Sequence, residues 1–152
     1  MEHEIINITD QADWIKKTIE IKASDDNVWT VITNPDHIGN WANSFEAGTN
    51  VSSDFTENSS VIWKDGKGQA VMNGKVEVSY PAKMLKVGFF DALDSDVNGA
   101  LGAYKEHYLL SESEGKTTLT IESGPMEQEY LEKVGPQWDE ALRTIKSLSE
   151  AL

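Results

Sequence analysis

The chain contains no cysteine among its 152 residues. This absence excludes disulfide bonds, thiolate nucleophiles and cysteine metal sites, and it is typical of a reducing compartment, so we expect a cytoplasmic location. Histidine is scarce as well, because His3, His37 and His107 are the only 3 and none lies close to another in sequence. A zinc site needs three or four converging ligands, so the sequence predicts neither a metal centre nor a cofactor.

Long hydrophobic runs are also missing. The longest apolar stretches cover only a few residues, whereas a membrane-spanning helix needs about 20. The N-terminal stretch "MEHEIINITDQADW" is acidic and lacks the basic region and apolar segment of a secretory signal. We therefore expect no membrane insertion. The length suits a single domain over 1–152, in which 1–15 form a loose N-terminal arm or a short edge segment.

Basic residues are half as numerous as acidic ones. The 13 Lys and Arg stand against 26 Asp and Glu, which gives a formal net charge of −13. No basic stripe offsets this charge, so nucleic acid and anionic membrane surfaces are poor partners. The ordinary role of such a charge is to keep the protein in solution.

Common catalytic and ion-binding motifs are absent. There is no Gly-x-Ser-x-Gly elbow, and the glycines of "GKGQAVMNG" lack the spacing of a phosphate-binding loop. The segment "DALDSD", with Asp91, Asp94 and Asp96, lacks the glycine and the glutamate that a calcium loop requires. We interpret it as an ordinary acidic loop.

The first periodic segment is "KKTIEIKAS", in which Ile19 and Ile21 alternate with polar residues. This pattern predicts a half-buried strand. Ser24 follows as a candidate N-cap of a first short helix. Asn34 and Pro35 then provide the cap and the first position of a second short helix.

Residues 43–124 predict β-structure, because alternating apolar segments are separated by "KDGKG", "YPAK" and "SEGK". The candidate strands are 44–51, 59–65, 68–80, 84–91, 103–113 and 117–124. Alternation in the third predicts that one face carries Met72, Gly74, Val76, Val78 and Tyr80. In strand 103–113 both faces carry apolar groups. Either Tyr104, Glu106 and Tyr108 point inward with Leu110, or His107 and Leu109 do.

The closing stretch "VGPQWDEALRTIKSLSEAL" predicts a two-faced helix, with an apolar stripe that includes Trp138, Leu142 and Ile145. Pro136 allows two interpretations: the helix begins there, or a longer helix from near Glu127 is kinked there and could gate a cavity. A sheet with one apolar face and a helix with one apolar stripe pack together. The sequence thus predicts an α+β fold in which this helix covers a curved antiparallel sheet.

Three stretches resemble START-like (SRPBCC) domains. "TIEIKASDDNVWTVITNPDHIGNW" is similar to their opening, and "VIWKDGKGQAVMNGKVEVSYPAKMLKVGFFD" resembles the middle sheet of the branch related to the activator of heat-shock-protein-90 ATPase. "EGKTTLTIESGP" and the closing helix resemble its carboxyl end. The resemblance covers about 16–152. It implies a helix-grip, Bet v 1-like fold, often with a hydrophobic cavity between sheet and helix, in a superfamily whose members bind lipids, sterols, polyketides or hormones.

On this basis we expect a small hydrophobic or amphipathic ligand between sheet and helix, with room left by Gly74 and Ala141. The expected ligand-binding residues are Trp41, Phe45, Val61, Trp63, Met72, Val76, Val78, Phe89, Tyr104, Glu106, Tyr108, Trp138 and Leu142.

The leading hypothesis is a binder or carrier that does no catalysis. A second is an enzyme of the cyclase, aromatase or lyase kind, with Glu106 as the candidate proton shuttle or with a tyrosine or histidine in that role. A third, implied by the resemblance, is a co-chaperone-like module with a chaperone as partner. The sequence makes no prediction of the oligomeric state.

Overall fold

The computed structural model describes residues 5–7, 13–93 and 99–152. The described strands are β1 (Ile5–Asn7), β2 (Ile15–Ile21), β3 (Asn50–Ser52), β4 (Ser60–Lys64), β5 (Ala70–Tyr80), β6 (Met84–Phe89), β7 (Lys105–Ser113) and β8 (Lys116–Gly124). The described helices are α1 (Asp25–Thr33), α2 (Pro35–Trp41), a short 3-10 helix (Ala42–Ser44) and α3 (Gln128–Ala151).

Two predicted segments lie partly outside the described residues. Of the N-terminal arm 1–15, residues 1–4 and 8–12 are outside, while 5–7 pair with β2 at the edge of the sheet. Of the acidic loop, Asp94 and Asp96 are outside.

The described strands form one antiparallel sheet in the order β1-β2-β8-β7-β6-β5-β4-β3. Neighbours in the stretch from β3 to β8 follow one another along the chain, so each connection joins two adjacent strands. The sheet curves around α3, and the two short helices follow β2. The predicted helix-grip α+β fold is confirmed. Among the described residues, no helix combines the length and the apolar character that crossing a bilayer needs.

Two side chains cap the short helices as the sequence predicts. The Ser24 hydroxyl accepts a hydrogen bond from the Asn27 N–H at 3.2 Å. The Asn34 side chain accepts one from the Asp36 N–H at 2.9 Å, and Pro35 fills the first helical position. Because Asn34 also ends α1, one residue sets the corner between the two helices.

The predicted strand over 44–51 is wrong for most of its length. The chain forms the 3-10 helix and a turn there, and β3 covers only Asn50–Ser52. The Asn43 side chain accepts a hydrogen bond from the Gly48 N–H at 2.9 Å, which stabilises the turn. A side-chain acceptor of this kind competes with strand pairing, and the alternation of apolar residues does not reveal it.

A bulge in β5 reverses its side-chain alternation. Val76 lies opposite Val87 on the concave face, but Val78 lies opposite Lys86, because the register shifts between the two valines. Lys86 in turn pairs with His107 on the convex face. The expectation that Val78 shares the concave face is therefore wrong, since one extra residue turns every later side chain to the other face.

The closing helix is the longer of the two alternatives. It begins at Gln128 and contains Pro136 in its interior. The part of the helix after Pro136 carries the buried stripe of Trp138, Ala141, Leu142 and Ile145. The buried Lys17 on β2 forms an ion pair with Asp139 at 2.7 Å, which fixes this part of the helix to the sheet.

The space that we expected at Gly74 is occupied. Gly74 lies opposite Phe89, and a Cβ atom on Gly74 would stand 2.3 Å from the Gly88 carbonyl oxygen and 2.7 Å from the Phe89 ring. Ala141, the other small residue, is fully buried in the core. Neither leaves a void, so the small residues serve close packing.

A matched pair of glycine substitutions tests this packing. Gly74→Ala should lower the free energy of unfolding by about 1–3 kcal/mol, because the carbonyl of Gly88 cannot move out of the way cheaply. Gly39→Ala, within α2, meets only the side-chain amide of the exposed Asn50, at 3.3 Å. It should change stability by less than about 1 kcal/mol, because alanine favours the helix while the amide must shift slightly. Urea denaturation measures both, and equal effects would contradict the prediction.

Candidate ligand-binding pocket

A partly open pocket of about 260 Å³ lies between α3 and the part of the sheet that contains β4, β5 and β7. Its volume is close to the lower end of the range for small-molecule sites, about 300–1,000 Å³. Nearly half of its lining residues are aromatic: Trp41, Phe45, Trp63, Tyr104, Tyr108, Tyr130 and Trp138. The remaining lining residues are Glu46, Thr49, Val71, Met72, Glu106, Lys133, Val134 and Gln137.

The expected ligand-binding residues fall into four groups. Those that line the pocket are Trp41, Phe45, Trp63, Met72, Tyr104, Glu106, Tyr108 and Trp138. Val61 borders a separate void of about 10 Å³. Val76, Phe89 and Leu142 are buried in the core outside the pocket lining, and Val78 lies on the convex face.

Stacked aromatic rings form the inner wall. The Trp41 and Trp138 rings stack with centroids 6.3 Å apart, and Phe45 stands edge-on to Trp138 at 4.9 Å. The Trp41 indole N–H donates to the Val31 carbonyl oxygen at 2.9 Å, which fixes its orientation. Large rings held in this way support the helix above the sheet instead of closing the gap.

Two hydrogen bonds attach α3 to the 3-10 helix beside the pocket. The Ser44 hydroxyl donates to the Gln137 carbonyl oxygen at 2.9 Å. The Gln137 side-chain amide donates to the Phe45 carbonyl oxygen at 3.2 Å. These two bonds stabilise the pocket wall next to Pro136, which has no backbone N–H to donate within the helix.

The polar floor of the pocket comes from β7 and the residue before it. Tyr104, Glu106 and Tyr108 point inward with Leu110, which is the first of the two alternatives that the sequence left open. Glu106 is only 8% exposed. The Tyr104 hydroxyl donates to the Glu106 Oε2 atom at 2.9 Å and lies 2.7 Å from the Ser123 hydroxyl.

Burial controls the protonation of this floor. It raises the pKa of Glu106 from 4.5 to about 7, although hydrogen bonds from Tyr104 and Tyr108 act in the opposite direction. Burial also raises the pKa of both tyrosines well above the usual value, so their hydroxyls stay protonated near neutral pH. Glu106 can therefore exchange a proton near pH 7 beside two permanent donors.

The mouth of the pocket was missed at the sequence level. It includes Tyr130, Lys133, Val134 and Gln137, from the first half of α3. Their spacing of three and four residues is the signal for one helix face. It becomes usable only if the helix is known to continue through Pro136.

His107 lies outside the pocket, on the convex face. Its Nδ1 atom is 2.9 Å from Glu122, and its ring is 5.9 Å from that of Trp14. His107 therefore cannot act as a catalytic histidine in the pocket. Within the ranges 5–7, 13–93 and 99–152, no group of three or more His, Asp or Glu side chains could hold a metal ion.

The model of one protein family matches most of the chain. This family is described as activator of Hsp90 ATPase homolog 1-like protein, and the match covers residues 22–150. The chain belongs to this family. The resemblance to the corresponding branch of the START-like superfamily is thereby confirmed. No curated protein matches the chain.

Several solved structures share the fold of this family member at low sequence identity. CalU16 from Micromonospora echinospora is 20% identical, with a TM-score of 0.66 over 90% of this chain and 75% of that one. The Aha1 dimer from Colwellia psychrerythraea is 16% identical, with a TM-score of 0.68 over 90% and 96%. DynU16, a protein in the dynemicin biosynthetic locus, is 17% identical, with a TM-score of 0.68 over 90% and 47%.

The raised pKa of Glu106 predicts how stability depends on pH. Between pH 4.5 and about 7 the folded state holds a proton on Glu106 that the unfolded state has lost. The wild type should therefore lose about 3 kcal/mol of stability relative to Glu106→Gln as the pH rises through this window. Urea denaturation of both proteins between pH 4 and 8 measures the difference.

Glu122→Gln is the matched control on the convex face. Burial opposes ionisation of Glu122, but contacts with His107 and Lys16 outweigh it and hold its pKa below the usual value. Glu122 therefore contributes stability at neutral pH that is lost as the pH falls, which is the opposite sign. If the two variants show the same pH dependence, the assignment of Glu106 is wrong.

Proposed function

We propose that this protein binds a small apolar or amphipathic molecule in the pocket between α3 and the sheet, and that it acts as a binder or carrier. The observation that carries this proposal is the partly open space of about 260 Å³, with aromatic walls and a carboxyl at its floor. An apolar cavity with a few converging polar groups is the usual form of a small-molecule site.

Burial of apolar surface supplies most of the affinity in such a site. Each Å² of apolar ligand area removed from water contributes about 25 cal/mol. The rigid rings of Trp41, Trp63 and Trp138 offer this surface without reordering, because they are already held by the surrounding core. Glu106 and Tyr108 would orient the polar end of the ligand at the floor.

A second candidate function is acid–base catalysis, and one specific observation favours it. Glu106, whose pKa is about 7, borders the pocket and can take up or release a proton at neutral pH. DynU16, which has the same fold, is a protein in a biosynthetic locus. In this alternative Glu106 exchanges a proton with a bound molecule that is then converted.

Tryptophan fluorescence tests the binding proposal. A panel of aromatic and short-chain amphiphiles, neutral, cationic and anionic, should give at least one saturable change, because three tryptophans line the pocket. Val134→Phe should weaken that binding by roughly tenfold or more, since it fills the mouth. Glu140→Phe, exposed on the same helix, is the control and should leave binding unchanged. The absence of any saturable signal would count against the proposal.

Mass spectrometry of the same mixtures tests the catalytic alternative. If Glu106 transfers protons in a reaction, a bound compound should be converted by the wild type and left intact by Glu106→Gln, which still binds it. A compound that binds and is never converted supports the carrier. Conversion at equal rates by both proteins would remove Glu106 from the reaction.

A further inference from the structure

When Glu106 is ionised, the floor of the pocket offers hydrogen-bond acceptors, because its donors are already used. Tyr104 gives its hydroxyl proton to Glu106, and Tyr108 does the same. Because the Tyr104 proton is committed, the Ser123 hydroxyl at 2.7 Å must donate to the Tyr104 oxygen. A ligand therefore meets lone pairs of Glu106 and Tyr108, and the group that complements them is an N–H or O–H donor.

Within the described part of the chain, Glu106 has no cationic partner at the floor. The influences on its ionisation are burial and the two tyrosine hydroxyls. Among the described residues that line the pocket, Lys133 is the one lysine or arginine, and it is exposed, as Glu46 is. A buried carboxylate without a countercharge is costly, and a cation that enters the pocket would remove this cost.

The walls favour a cation as well. Trp41 stands at 70° to Trp63 and at 60° to Tyr108, with ring centroids 6.2 and 6.5 Å apart. Tyr108 stands at 64° to Trp138 at 6.1 Å. All four of these rings line the pocket. The faces of indole and phenol rings attract ammonium ions, and groups of such rings form the known cages for organic cations.

The net charge of the chain also favours a cationic ligand. A net charge of −13 attracts cations toward the molecule and repels anions such as fatty acids. Aromatic walls alone would accept any apolar guest. The combination of these walls with an acceptor floor and a negative field distinguishes between guests by their charge.

We infer that the pocket selects a small organic cation, an aromatic or alkyl ammonium ion, whose charged nitrogen contacts Glu106 and whose apolar body lies among Trp41, Trp63 and Trp138. This inference rests on the proposed function, because it specifies the ligand class of the same pocket. It restricts the proposed ligand class from apolar or amphipathic molecules in general to amines.

Three compounds with one apolar body test the selection: 3-phenylpropylamine, 3-phenylpropan-1-ol and 3-phenylpropanoate. Titrations at pH 8 and low salt, followed by tryptophan fluorescence and calorimetry, should show the amine binding roughly tenfold or more tighter than the alcohol. The carboxylate should bind most weakly. If the alcohol equals or exceeds the amine, the cation inference fails while the pocket proposal stands. If none of the three binds, both fail.

Glu106→Gln and Glu140→Gln remove the same charge at the floor of the pocket and on the exposed surface of α3, outside the pocket lining. Glu106→Gln should reduce the affinity for the amine to that for the alcohol. Its unchanged affinity for the alcohol would show that the pocket is intact. Glu140→Gln should alter the preference by less than about threefold, because exposed charges interact weakly through water. Equal effects of the two variants would overturn the assignment of Glu106 as the counter-ion.

The pH dependence of binding is an independent test of the contact between the amine and Glu106. The ionisable groups that face the pocket besides Glu106 are Tyr104 and Tyr108 at the floor and Glu46, Tyr130 and Lys133 elsewhere in the lining. An alkylamine stays protonated up to about pH 10. The preference for the amine should fall as the pH is lowered from 8 to 5.5, because a proton then neutralises Glu106. A preference independent of pH in the wild type would contradict the inference.

Discussion

The C-terminal helix is packed on the sheet along only part of its length. Leu142 and Ile145, in its second half, are completely buried, and Asp139 is paired with Lys17 on β2. The first half borders the pocket instead, because stacked rings of Trp41 and Trp138 stand between helix and sheet at the junction. The pocket exists because the apolar stripe fixes one half of the helix while large rings keep the other half apart from the sheet.

Neighbouring ionisable residues of one strand lie in two opposite environments. Glu106 and His107 are neighbours in β7, yet the first faces the pocket and the second faces the convex surface. Burial without a countercharge raises the pKa of Glu106, whereas contacts with His107 and Lys16 lower that of Glu122. The direction of each shift follows from the side of the sheet, since identical carboxyl groups differ only in burial and partners.

These two features together explain what the pocket is able to recognise. Rigid rings supply apolar surface that is already ordered, and the floor supplies acceptors whose charge depends on pH near neutrality. Family membership gives the scaffold, but the same scaffold supports different activities. In the function that we propose, Glu106 and the rings around it would decide which ligand is bound.

The sequence by itself determined the order of the elements, the caps at Ser24 and Asn34, the two-faced closing helix and most of the aromatic wall, because these depend on local periodicity and turn chemistry. Only the tertiary structure decided which face of β7 is buried, since both faces carry apolar residues. It also decided the position of Val78, because a bulge shifts register without changing the alternation of residue types. The continuation of α3 through Pro136 was settled in the same way, by packing that overrides the local preference of proline to begin a helix.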